Sequence, residues 1–258
     1  MAICVTLGVL ALSFLAGYQA HSQVVSSDRS GKPFVAYSRV LRFSSQQREP
    51  AVQQGTFARR SDGSFVRSFE VTSPAGEVGW SVDIVDVPNR KYVALEPFTK
   101  SATTFYRTDS EVGESVAATG TCDSLGLDAE AGLPTRRVQA ISPQQRVWDT
   151  LLGRKVAQVI ERFEVATTER WVAPDLDCFA LRKSEWSSTG AHNEYTVTKL
   201  EEGEPPDSMF QIPSEYLETS PLQVEAAYAA RYPGHALFGE SMARLVDERY
   251  HKSRARRK

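Results

Sequence analysis

Residues 80–95 read WSVDIVDVPNRKYVAL, and this stretch decides the fold. Trp80, Val82 and Ile84 alternate with Ser81 and Asp83, so one face is apolar and the other polar. A period of two is what an extended strand imposes, because successive side chains point to opposite faces of its sheet. Pro88-Asn89-Arg90 then interrupts the run, and Tyr92 to Leu95 resume it. Proline pre-sets a turn by its fixed φ, and asparagine tolerates the left-handed backbone that turns require. The stretch reads as strand, turn and antiparallel strand.

The pattern repeats outward in both directions. Val35, Tyr37, Leu41 and Phe43 share one face, interrupted by Arg39, and Phe65, Phe69 and Val71 do the same around Arg67. Ser61-Asp62-Gly63 separates two such runs as a hairpin connection. Strand patterns resume at Lys155–Thr167, Glu169–Val172, Cys178–Trp186 and Glu194–Leu200. Pro174-Asp175 and the segment SSTGAHN (187–193) connect the later ones. Pro205-Pro206 stops strand pairing, since proline cannot donate to a ladder. After Pro221 the character is helical. An alanine-rich run to Tyr232 ends at Pro233-Gly234, and a second helix near 236–251 places Phe238, Met242, Leu245 and Val246 on one apolar stripe. The predicted class is mainly β (α+β), a strongly curved antiparallel sheet or open half-barrel with C-terminal helices. Its expected organisation is an export signal at 1–22, a β domain at 23–216 with an irregular insertion near 109–146, and a helical appendage with basic tail at 217–258.

The export reading rests on the uncharged apolar run Ile3–Gly17 followed by Ala20-His21-Ser22. That run is shorter than the roughly 20 residues a membrane-spanning helix needs, and the small-x-small pattern suits signal peptidase. A periplasmic or extracellular product is expected; the alternative is an uncleaved anchor, because the segment lacks the usual leading Lys or Arg. Removing the segment also removes Cys4 and leaves Cys122 and Cys178. Two cysteines in an oxidising compartment are a disulfide candidate, with two buried thiols as the alternative.

Net charge is close to zero, at −2, which argues against a nucleic-acid partner with its basic face. No GxSxG, HExxH, P-loop or GxGxxG motif is present, so no catalytic residue, metal ligand or cofactor is assigned. His192 sits in a Gly/Ser turn and His235 follows Gly234, which places both in solvent-exposed loops. Asp175 and Asp177 flank Leu176, and Glu201, Glu202 and Glu204 lie close together. Turn chemistry and a solvated strand end account for these carboxylates; a divalent cation is the sharper alternative for each. The basic tail Lys252–Lys258 suits peripheral contact with anionic lipid headgroups. Aromatic residues on predicted strands are the remaining signal. On a curved sheet Trp80, Val82, Ile84, Trp171 and Trp186 would line the concave face, there either to fill a core or to hold an apolar ligand.

Within Leu151–Tyr216, Gly153, Glu169-Arg170-Trp171 with Pro174 and Leu176, and Glu204-Pro205 with Phe210, Pro213 and Tyr216 form a recognisable set. This quarter of the chain resembles uncharacterised exported β-rich proteins of acidobacteria and related bacteria, which carry no functional residues across. More distantly, the order of elements is similar to the lipoprotein carrier superfamily of LolA, LolB and RseB-like domains. The segment from Trp171-Val172-Ala173-Pro174 to Arg182-Lys183 looks like the hairpin of those proteins. That resemblance implies an exported half-barrel holding acyl chains. The expected function is a non-enzymatic envelope module that binds a lipid or lipidated protein. The alternative is an interaction domain with a filled core that docks a partner through its C-terminal helices.

Overall fold

The computed structural model of the protein describes residues 32–43, 49–107, 148–162, 166–188 and 190–255. The export segment, Cys122 and the stretch near 109–146 lie outside the described residues. In chain order the strands are β1 (Phe34–Phe43), β2 (Ala51–Arg59), β3 (Phe65–Thr72), β4 (Val78–Asp86), β5 (Lys91–Glu96) and β6 (Ser101–Tyr106). They continue as β7 (Trp148–Leu151), β8 (Arg154–Arg162), β9 (Ala166–Ala173), β10 (Phe179–Ser187), β11 (His192–Glu202) and β12 (Leu217–Glu218). Two helices follow, α1 (Pro221–Arg231) and α2 (Glu240–Ala255). The architecture is mainly β, open and almost wholly antiparallel, with the helices after the last strand, as the period-two patterns predict.

The strands fall into two compact units. In the first, the order is β12-β6-β5-β4-β3, where β12 pairs parallel with β6 and the rest are antiparallel. The decisive hairpin forms as read: Arg90 N–H closes the turn on Val87 O at 3.1 Å, and Asp86 holds Asn89. Cross-strand register builds one apolar layer. Ile84 lies opposite Val66 and Val93, and Val82 opposite Leu95, which faces Ala102. Phe210 and Tyr216 pack against this layer. Each such side chain taken fully out of water contributes about 1.5–3 kcal/mol.

Both helices serve the same unit. Pro221 starts α1 at a position where its missing N–H costs nothing, and Gln223 Oε1 accepts the Ser220 N–H at 3.1 Å. Tyr228 and Tyr232 then pack with Phe98, against half-buried Val71. The helix α2 differs from its sequence pattern. Leu245 and Phe238 are exposed, and the buried line is Ala243, Asp247 and Tyr250. The reason is polar: the Asp247 carboxylate accepts the Leu222 N–H at 3.2 Å and so satisfies a donor that α1 leaves unpaired. Met242 and Val246 of that stripe are half-buried beside this line, and within α2 only its Leu245 edge faces solvent.

The second unit orders its strands β2-β1-β11-β10-β9-β8-β7, all antiparallel. The pairing of β1 with β11 shifts register between Tyr37 and Ser38, which leaves Thr198 as the extra residue of a bulge. Phe34, Phe57 and Phe179 form an aromatic cluster with ring centroids 4.8 to 5.7 Å apart. The buried Arg59 guanidinium stacks on Phe34 at 5.0 Å. It also donates to Lys32 O at 3.1 Å and Leu176 O at 3.2 Å.

Candidate functional site

In the first unit, Val78, Trp80, Val82 and Ile84 point to one face of β4 and form a graded apolar row. Exposure rises from 2 % at Ile84 to 43 % at Trp80 and 64 % at Val78, with Val82 half-buried between. The buried end is filled, because Phe210 and Tyr216 pack on that layer. The open end carries uncovered indole and isopropyl surface. The opposite face of the same strands is also occupied: Val85 and Phe65 are buried there, and Val71 packs with Phe98, Tyr228 and Tyr232. There Asp83 accepts the Tyr92 hydroxyl at 2.6 Å and Arg67 Nη2 at 3.0 Å, and Arg107 lies over the Tyr92 ring at 4.7 Å. Burial, reinforced by the Asp83 charge, pushes the Tyr92 phenol well above its ordinary range.

Trp171 and Trp186 belong to the second unit, so the five apolar residues read as one set occupy two units. Trp171 is half-buried on β9, opposite Arg182, and Trp186 lies on β10 four residues beyond that partner. At about 3.4 Å per residue their backbone positions are more than 10 Å apart along the strand. Trp186 instead stacks on His192 at 5.1 Å, and His192 stacks on Phe43 at 4.9 Å. This corrects the loop placement of His192. Its backbone is the first residue of β11, paired with Phe43 and Trp186 on either side, and ring stacking across three strands draws it into the sheet. His235 remains in an exposed loop.

The carboxylates considered for cations go to other partners. Arg154 follows the Leu152-Gly153 turn, whose two residues have φ of 51° and 72°, and its guanidinium bridges Asp175 and Glu202. These three residues, with Leu152, Gly153, Lys155 and Pro174, line an open groove of about 610 Å³. Asp177 lies 3.6 Å from Arg59, Glu201 pairs with Lys199, and Glu204 accepts the Ser61 N–H at 3.3 Å. Among the described residues no cluster of His, Cys, Asp or Glu could hold a metal ion. The sequence signal for the Arg154 bridge was slight, a lone Arg after a glycine turn, because its two partners come from distant segments. Cys178 is buried with Ala157, Val159 and Val172, while its candidate partner Cys122 lies outside the described residues. No helix among the described residues is long and apolar enough to cross a membrane.

No protein-family model matches the chain, and no curated protein matches it. Among solved structures it is similar to PNGF-II, with 12 % identity and a TM-score of 0.43, over 76 % of this chain and 32 % of that one. The chain thus spans about a third of the PNGF-II structure. It is also similar to LprF from Mycobacterium bovis, with 12 % identity and a TM-score of 0.34, covering 74 % of this chain and 92 % of that one. A LolA superfamily protein from Nitrosomonas europaea matches over 70 % of this chain and 90 % of its own, at 8 % identity and a TM-score of 0.32.

Proposed function

We propose that the chain is an exported, non-enzymatic binding module of the cell envelope that holds an apolar or lipidated ligand along the β4 row. The observation that carries this reading is the gradient from Ile84 through Val82 to Trp80 and Val78, an apolar row that runs out of the core into solvent. A flexible acyl chain laid on the open end continues the buried layer without displacing Phe210 or Tyr216. Trp80 is the largest surface it would cover, and covering it supplies up to about 3 kcal/mol, close to a hundredfold in affinity.

Native mass spectrometry after mild extraction tests the ligand directly, with co-purified lipid expected. Titration with a fluorescent fatty acid tests the row: Trp80→Ser should weaken binding by about tenfold to a hundredfold, and Trp186→Ser should leave it unchanged. Absence of both co-purified lipid and probe binding sinks the proposal. A second reading, an interaction domain with a filled core, is favoured by the packing of Phe98, Tyr228 and Tyr232 beneath the helices and by the apolar residues those helices leave exposed.

A further inference from the structure

In the second unit, one row of side chains crosses the sheet at the end where β10 and β11 are joined. Phe43 on β1 lies opposite His192 on β11, His192 opposite Trp186 on β10, and Trp186 opposite Thr167 on β9. The first three carry rings. Their centroids are 4.9 and 5.1 Å apart and successive planes differ by 15° and 9°, so the stack steps at about the 4.8 Å spacing of strands. His192 covers the inner face of the Trp186 indole, and Phe43 backs His192 in turn. At Thr167 the row changes to a short, half-buried side chain. Trp186 is 39 % exposed, and among the described residues no second ring stacks on it. The outer indole face therefore borders a step of one strand spacing with a hydroxyl at its floor. The next row on the same face is polar, with Glu169 and Glu194 opposite Ser184 on either side. One oxygen of Glu169 accepts Gln158 Nε2 at 2.6 Å, and Glu194 lies 3.5 Å from His192.

The geometry points to the outer face of Trp186 as a stacking site for a pyranose ring of a glycan, lying over Thr167 as the fourth ring of the row. The chemistry around the indole selects the occupant. A pyranose with equatorial hydroxyls presents C–H bonds on its faces and hydroxyls around its rim. It matches an apolar ring face bordered by the Thr167 hydroxyl and the Glu169 carboxylate. Glu169 keeps acceptor capacity beyond its bond to Gln158, because a carboxylate offers about four lone-pair sites. An acyl chain would need apolar surface continuing past the indole, and the row of Glu169, Ser184 and Glu194 interrupts it. A large apolar anchor from a protein would need an enclosed pocket, which one wall does not make. The stack also holds the indole in place before binding, so little side-chain freedom is lost when a ring settles on it. The site is independent of the β4 ligand, since none of its residues belongs to that row or to that unit.

The test is saturation-transfer NMR on the full chain with cellotetraose and chitotetraose, which present glucose and N-acetylglucosamine rings. Transfer to the ring C–H protons of at least one of them is expected. Trp186→Ala should weaken that binding about tenfold. Thr167→Phe should abolish it by supplying the fourth ring from the chain itself, with the melting temperature unchanged or raised, because aromatic pairs across strands stabilise a sheet. Circular dichroism and melting of each variant establish that the sheet is retained. If Trp186→Ala fails to fold, Thr167→Phe decides the matter alone. Binding of neither sugar overturns the inference, and so does unchanged binding in folded Trp186→Ala or folded Thr167→Phe. Tighter binding of choline than of either sugar, lost in Trp186→Ala, overturns it in favour of a cation seated on the indole.

Discussion

At the scale of single residues, two positions show how tightly each unit is packed within itself. Gly79 on β4 has no Cβ, and one added there would meet Pro97 Cβ at 2.8 Å and Cγ at 2.9 Å. Pro97 is rigid and cannot swing away as a flexible side chain would. Gly79→Ala should therefore destabilise the protein by about 1–3 kcal/mol, the usual cost of overpacking. Gly76, at φ +82°, has nothing within 4 Å, so its substitution costs backbone strain alone and Asn should be tolerated there better than Ala. Urea unfolding of the three variants separates the two effects. Arg59 is the second case. Burial lowers its pKa while Asp177 opposes the change, and its fork serves the carbonyls of Lys32 and Leu176 together. Lysine cannot reproduce that planar fork. Arg59→Lys should cost about 2–3 kcal/mol in chemical unfolding by leaving a buried acceptor unmatched, and a near-neutral result would mean the guanidinium contacts contribute little.

At the scale of elements, the informative feature is how α1 is fastened. Arg231 donates to Phe98 O at 2.6 Å and to Glu77 at 2.9 Å, and the Tyr232 hydroxyl also bonds the Glu77 carboxylate. Hydrogen bonds from Tyr232 and then Arg231 hold Glu77 below its ordinary value of 4.5. A depressed carboxylate pKa gives stability that is present above the unfolded value and lost as pH falls through the folded one. The clasp is thus whole at neutral pH and opens in acid. Wild type and Glu77→Gln should differ in melting temperature by a constant amount at pH 6–8, and the difference should close as pH drops below about 4.5. A gap that persists at pH 3 would show that the substitution acts through packing. The elements themselves were legible to differing degrees. Strands were readable because alternation is a local signal; the buried face of α2 was read only at its edge, Met242 and Val246, because its centre includes Asp247, which points inward to serve the first turn of another helix. His192 was misplaced for a similar reason, since the rings that hold it come from β1 and β10.

At the scale of the whole molecule, the β4 row could be read from residues 80–84, whereas its grading from core to solvent depends on segments that no local pattern connects to it. Phe210 and Tyr216 cover one end, and they arrive from more than a hundred residues along the chain. The same non-locality governs the cysteine pair. Cys178 is buried, and its backbone is held at φ 59° directly after Asp177 at φ 58°, so its position is tightly set by the turn after Pro174. A bond to Cys122 would close a loop of roughly 57 residues, which in the chain-entropy model stabilises the folded state by about 4 kcal/mol. Protein exported to an oxidising compartment should therefore yield, without reduction, a joined peptide containing both cysteines, and reductant should lower the urea midpoint by the equivalent of that free energy. Alkylation of both thiols in unreduced, denatured protein would show the pair to be unbonded. The burial of Cys178 among Ala157, Val159 and Val172 would then contribute only as a small apolar side chain.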